Sequence, residues 1–415
     1  MSKTYAFHVD VPVYRSADVV VVGGGPSGVA AAIAAARCGK DVLLVEQSGQ
    51  LGGMATLGNV SIFMGVGNVT GIYREILSEV MPEKLEKADP KKFYPQFNPF
   101  LFRYYLNRKL EKENVNVLYH SSFIRALVEE NKVKGIIINT REGLKAIEGK
   151  VIIDCTGDGR VAIDAGAAYT SGRETDGMTQ PATLMFHMQN TGKPVKSVLP
   201  EGCYDYEKIA DLPQGRHLFW EQMEDGTLLV NMTRVRGNGA KAEEAGFIEK
   251  EALKQVLSVA NYLQRNGFEN YILSHVASQT GIRETNQVVG VYTLCEDDLI
   301  NARKFHDVVA QTNYEIDIHS PDGQKSCDER KLDSYDIPYR CLVPRGLEAI
   351  LVAGRAISAT HVAMSSVRVQ PTCYALGQAA GAAAALSIDA GCSLGEISAE
   401  KLHDILRRQG VVFEK

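Results

Sequence analysis

Asp18-Val19-Val20-Val21-Val22-Gly23-Gly24-Gly25-Pro26-Ser27-Gly28 leads through an alanine-rich run to Asp41-Val42-Leu43-Leu44-Val45-Glu46. The pattern predicts strand, tight turn, helix and strand. Val19–Val22 suits a strand buried on both faces of a parallel sheet, and Val29–Arg37 has the alanine content of a helix that Gly39 would end. Between them, Gly23, Gly25 and Gly28 hold the G-x-G-x-x-G spacing. The first makes the turn, the second lets main chain approach a pyrophosphate, and the third lets helix and strand pack closely. The helix N-terminus then offers free N–H groups to phosphate. Glu46 stands 18 residues after Gly28, where a carboxylate can accept both hydroxyls of an adenosine ribose. An acid there favours FAD or NAD over NADP.

Working outward, Gly52 and Gly53 in Leu51–Thr56 form a second place where main chain can pass close to a ligand. Helices are expected over Ile72–Met81 and Phe100–Glu113, with a lid-like loop at 89–99. Strands Val115–Tyr119, Phe123–Val128, Val133–Thr140 and Leu144–Glu148, with turns at 130–132 and 141–143, read as a β-meander. A separate buried strand, Val151–Asp154, follows. Val9–Tyr14 reads as a short leading strand. Beyond Gly172 the pattern changes to strands Thr183–Met188, Leu228–Val235 and Gln287–Leu294 around a long amphipathic helix, Glu243–Asn266. Ala349–Arg355 returns to a buried strand and glycine turn. Pro371 then opens a helix that ends before Gly391, in which Gly377 and Gly381 share one face and require a close neighbour.

The fold class expected is α/β: a Rossmann-like nucleotide-binding domain with a parallel sheet and a β-meander, interrupted by an α+β module. The boundaries are 1–170, with a helical insert at about 72–114, then 171–338 as substrate or cap domain, then 339–415 as return and C-terminal helices. A chain of 415 residues with 45% hydrophobic and 23% charged content fits two such units. The net charge of −5 gives no electrostatic reason to expect nucleic acid or an anionic membrane. Met1–Tyr5 precedes no apolar signal core, so a cytoplasmic protein is expected. The 8 cysteines contain no C-x-x-C pair, which argues for reduced, mostly buried thiols and against a metal cluster. A second strand-linked G-x-G-x-x-G is missing, so one dinucleotide site is expected.

These segments resemble the FAD-dependent oxidoreductases of the glutathione-reductase-type flavoprotein superfamily. The likeness rests on Gly23–Gly28 with Glu46, on Asp154-Cys155-Thr156-Gly157-Asp158, and on Val352-Ala353-Gly354 followed by the Pro371 helix. Within it, Leu51–Thr56, Gly281-Ile282-Arg283-Glu284-Thr285 and Ile357–His361 through Arg368 mark a narrower group. The resemblance implies non-covalent FAD. It places Gly23, Gly25, Pro26, Ser27 and Gly28 at the pyrophosphate and Glu46 and Gln47 at the ribose. It places Phe123 main chain at the adenine, and Gly52, Gly53, Met54, Thr56, Thr156, Gly157, Asp158, Gly354 and Thr372 around the remainder. Arg355 stands where many members carry an acid, which directs it to the phosphates.

The expected activity is two-electron oxidation of a small polar metabolite such as a hydroxy acid, sugar or polyol. The alternative is flavin-dependent reduction of an unsaturated acid. An RNA-modifying flavoprotein and a non-catalytic flavin-binding protein are the readings from other classes. Hydride loss needs a base and cations to orient the substrate, which nominates His361, His319, Arg283 and Arg368. Met54, Met64 and Met364 read as core or pocket lining. The electron acceptor is left open, and a homodimer is the default for assembly.

Overall fold

The computed structural model describes residues 5, 8–65, 68–82, 95–221, 226–321 and 327–414. The valine run lies in β1 (Val13–Val22), followed by α1 (Pro26–Arg37) and β2 (Val42–Val45). After α2 (Ile72–Val80) and α3 (Pro99–Lys112) come β3 (Asn116–Leu118), β4 (Ser122–Glu129), β5 (Lys132–Thr140) and β6 (Gly143–Asp154). They form a sheet in the order β3-β2-β1-β6-β5-β4. The pairs β3–β2, β2–β1 and β1–β6 are parallel, and β6–β5–β4 is the antiparallel meander.

Two expectations change here. Leu144–Glu148 and Val151–Asp154 belong to the single strand β6, because one edge pairs with β1 along its length while the other pairs first with β5 and then with Ile350–Val352. Of the leading strand expected at Val9–Tyr14, only Val13 and Tyr14 hold strand geometry, as the start of β1, with Val13 opposite Ala146. Of the expected lid, 89–94 lie outside the described residues. Phe97 is buried and donates its N–H to the Ser61 carbonyl at 3.0 Å, and Pro99 already belongs to α3.

Next come α4 (Arg160–Asp164), β7 (Tyr169–Ser171), β8 (Phe186–Asn190), β9 (Phe219–Glu221), β10 (Thr227–Val230), α5 (Ala242–Arg265) and β11 (Tyr271–Val276). Strands β11-β8-β10-β9 make an antiparallel sheet, and its apolar face packs on α5 through Phe186, Met188, Val230, Val256 and Val259. Then come β12 (Asn286–Val288), α6 (Glu296–Ile300), β13 (Val308–Thr312), β14 (Ile316–His319), β15 (Cys327–Arg330) and β16 (Tyr335–Pro338). Gln287–Leu294 therefore holds strand geometry only at its start. Leu294, Val309, Ile316 and Ile337 join the helix-side core of the large sheet.

The chain closes with β17 (Ile350–Val352), α7 (His361–Val367), α8 (Gln370–Ala390) and α9 (Ala399–Arg408). Helix α8 lies against α1. A Cβ on Gly377 would sit 2.0 Å from the Ser27 carbonyl oxygen, and one on Gly381 would sit 2.2 Å from that of Ala31. These two glycines find the close neighbour their spacing demanded. Among the described residues no helix is long and apolar enough to cross a membrane.

The register positions the site. Val22 pairs with Val45 and with Asp154, and Asp154 pairs with Val352. Four strands thus end at one level, and the loops at Gly23, Glu46, Cys155 and Ala353 leave the same carboxyl edge, where open α/β sheets bind ligands.

Candidate active site

A cavity of about 460 Å³ runs from that edge to the hairpin of β14 and β15. At one end it is lined by Gly23, Gly25, Pro26, Ser27, Glu46, Gln47, Phe123, Thr156, Gly157, Asp158 and Arg355, with Gly53 and Met54 alongside. Helix α1 begins here without a side-chain cap or an acidic residue in its first turn, leaving its N–H groups to a phosphate. Gly28 sits behind this wall, where a Cβ would lie 1.8 Å from the Gly23 carbonyl oxygen. The helix can leave the strand this tightly only with glycine at that position. Glu46 accepts the N–H groups of Gly24 and Ser48, both at 2.7 Å, through different oxygens, and each oxygen keeps a lone pair for a ribose hydroxyl. Arg355 pairs with Asp158 at 2.5 Å and donates to Thr285 Oγ1 at 3.1 Å. The donor set, the uncapped helix and the bare Gly25 match an FAD pyrophosphate and adenosine ribose.

Four residues expected around the cofactor lie outside the cavity lining. Gly52 donates its N–H to Gly24 and so ties two loops together. Thr56 turns its hydroxyl onto the Leu51 carbonyl at 2.6 Å. Gly354 underlies Ser27, with a Cβ position 2.6 Å from its Oγ. Thr372 is fully buried against Thr312; Val369, Gln370 and Cys373 carry that helix start to the cavity instead. Like Gly28, the residues Gly52, Thr56, Gly354 and Thr372 shape the wall without lining it.

The other end carries three of the four residues nominated for chemistry. Arg283, Arg368 and His319 line it, with Asp317, Tyr314, Glu315, Glu329 and Arg216. His361 does not, because its Nδ1 lies 2.7 Å from Oε1 of the fully buried Glu284. Glu284 Oε2 in turn accepts the Gln180 N–H, and Gln180 Oε1 accepts the N–H of His319. His361 therefore buttresses the wall. His361→Ala should cost about 1–3 kcal/mol by leaving a buried acceptor unpaired, with the rate of flavin reduction changed less than about two-fold. Thermal melts and anaerobic single-turnover kinetics check both. A tenfold fall in rate at unchanged stability would return His361 to the chemistry.

Hairpin pairing sets His319 opposite Cys327 and Asp317 opposite Glu329. His319 Nδ1 lies 3.0 Å from the Cys327 sulfur, and its Nε2 lies 3.5 Å from Asp317 Oδ1. Burial and then the charge of Arg283 push the imidazole well down, which outweighs Asp317 and keeps the ring neutral. Burial alone would raise Asp317. The His319 hydrogen bond and the charges of Arg368 and Arg283 prevail and hold its carboxyl below the usual range. Burial, with the nearby Asp317, pushes the Cys327 thiol up.

The ligand-type atoms of Asp317, His319 and Cys327 lie within 4.8 Å of one another, a grouping unforeseen from the sequence, and the adjacent arginines oppose a cation there. Alternation in Ile316-Asp317-Ile318-His319 was the available signal for a two-faced strand, but nothing in spacing paired it with Cys327. Trp220, the single tryptophan, also lines the cavity and was missed. All 8 cysteines are free, and only Cys155, Cys341 and Cys373 are buried, fewer than expected.

A sheet edge with an uncapped helix start, continuous with a chamber lined by charged side chains, is the arrangement of a nucleotide-binding α/β fold. The chain matches the profile of the FAD dependent oxidoreductase family over residues 18–406, and it belongs to that family, whose cofactor is FAD. A thiamine thiazole synthase from Aeropyrum pernix is 32% identical over 133 residues, 32% of this chain and 47% of the relative. A digeranylgeranylglycerophospholipid reductase 1 from Methanopyrus kandleri is 30% identical over 161 residues, 36% of this chain and 42% of the relative. The matches thus span less than half the length of these two relatives. A geranylgeranyl bacteriochlorophyll reductase-like structure from Thermoplasma acidophilum superposes with a TM-score of 0.51 at 15% identity, covering 96% of this chain and 84% of that one. That likeness speaks for the fold alone.

Proposed function

We propose that this protein catalyses the two-electron oxidation of a small hydroxy acid, with FAD as the immediate acceptor. One observation carries the reading: the imidazole of His319 lines the same end of the cavity as the guanidinium groups of Arg283 and Arg368. When bound, FAD supplies the hydride acceptor. Arg283 and Arg368 would hold the substrate carboxylate, since a guanidinium presents paired donors to that group. Neutral sugars and polyols offer those arginines no charge, which favours an acid among the expected substrates.

His319 would take the hydroxyl proton. With Nε2–H directed to Asp317, Nδ1 is the basic atom, and it faces the Cys327 thiol. The substrate hydroxyl takes the thiol's place, and Asp317 steadies the imidazolium that forms. Burial and the charge of Arg283 push the imidazole down, so it starts the reaction unprotonated, the form that accepts a proton in the oxidation. In this reading 171–338 acts as the substrate-presenting unit.

Anaerobic titration of the FAD-loaded protein tests the proposal. Hydroxy acids should bleach the flavin, and neutral sugars and polyols should not. Bleaching by a neutral polyol alone, or by reduced nicotinamide alone, would overturn it.

A further inference from the structure

Arg234 and Arg283 share one acceptor. Arg283 Nη1 lies 2.7 Å and Arg234 Nη1 2.8 Å from Thr183 Oγ1. Their other hydrogen bonds go to uncharged oxygens: Pro181 O for Arg283, and Thr233 O and Asn231 Oδ1 for Arg234. Arg234 Nη2 is buried with no partner. The carboxylates nearby leave these charges under-compensated: Asp317 lends its charge to both arginines but shares it with Arg368. Asp317 pairs with Arg368 at 3.2 Å, and Glu329 pairs with Arg216 at 3.5 Å. Burial, and then repulsion from Glu329 and Asp317, pushes the Glu315 carboxyl up, which weakens it as a counter-charge. Among the described residues, two adjacent, half-buried guanidinium groups therefore stand with no carboxylate paired to either. Clustered charge with too little counter-charge is costly, and a ligand that neutralises both groups removes that cost.

We infer that this site binds a dianion, a small molecule carrying two negative charges such as a dicarboxylate or a phosphoester. That the dianion is also the oxidised substrate rests on the proposed function; the binding does not. Arg283 lines the cavity and makes the contact, while Arg234 does not line it and acts through its charge from behind.

The FAD-loaded protein is titrated at matched ionic strength with malonate, succinate and inorganic phosphate as dianions, and with acetate and lactate as monoanions. Trp220 fluorescence and the flavin spectrum are followed. At least one dianion should bind at least tenfold more tightly than the better monoanion, and the carboxylate and phosphate arms separate the two sources. Arg234→Met should shrink that preference to within about two-fold, while Arg234→Lys keeps it. Equal binding of both charge classes, no binding of any anion, or an unchanged preference in Arg234→Met would overturn the inference. The wild-type comparison decides even if a variant fails to fold. Dianion binding without bleaching by any hydroxy acid would defeat the redox proposal and leave this one standing.

Discussion

Gly377→Val should melt at a far lower temperature than the wild type and purify without bound flavin. The new Cβ would meet the Ser27 carbonyl at 2.0 Å, and that oxygen belongs to helix backbone that cannot step aside. Helices α1 and α8 must part, at a cost of about 3 kcal/mol or more. Because Ser27 also lines the cavity, the same movement displaces the helix start that receives the phosphates. Gly246→Ala is the control: it lies within α5 with nothing within 4 Å of its Cβ position. It should gain about 0.5–1 kcal/mol from helix propensity. Denaturant melts and the flavin absorbance of the purified proteins decide both. A Gly377→Val protein as stable and as yellow as the wild type would refute this packing.

Arg283→Met should raise the melting temperature of the ligand-free protein while lowering flavin reduction by a hydroxy acid about 10²–10³-fold, the scale of losing a charged group that acts on the reacting molecule. Burial, and then repulsion from Arg234 and Arg368, pushes the Arg283 guanidinium far below its ordinary range. A buried cation replaced by an apolar chain of similar length relieves that penalty by about 1–2 kcal/mol. The opposite signs matter, because a merely structural arginine would lose stability and rate together. FAD content should stay unchanged, since the nucleotide end lies elsewhere in the cavity. Melts without ligand and anaerobic stopped-flow reduction provide the two readouts, and a destabilised variant with normal rates would sink the assignment.

The nucleotide half of this molecule was legible because its chemistry is local. Strand, turn and helix from Val19 to Arg37 follow from a short run in which each glycine has a steric reason, and Glu46 follows by spacing. The helix contact at Gly377 and Gly381 was legible for the same reason, since two missing side chains on one face imply a backbone neighbour. The reaction end resisted. Asp317 and Cys327 sit on the two strands of one hairpin and Arg234 comes from a distant segment, and only the hairpin register and the shared Thr183 hydroxyl bring them into play. His361 misled because proximity in sequence to the helix start said nothing of the buried Glu284 that draws its ring away. Strand β6 was split because Gly149 and Lys150 resemble a turn, whereas a strand with different partners on successive parts of one edge leaves no periodic mark.

The four strand ends at Val22, Val45, Asp154 and Val352 carry a consequence for biosynthesis. The first three emerge early, yet the fourth, and the helix that clamps α1 at Ser27, arrive more than 300 residues after Gly28. At roughly 5–20 residues per second of translation, the glycine turn waits on the order of tens of seconds for its partner. During that interval the apolar faces of α1 and β1 have no cover from α8. Capture of the flavin thereby waits on β17 and α8, and a chain cut before Ile350 should purify colourless.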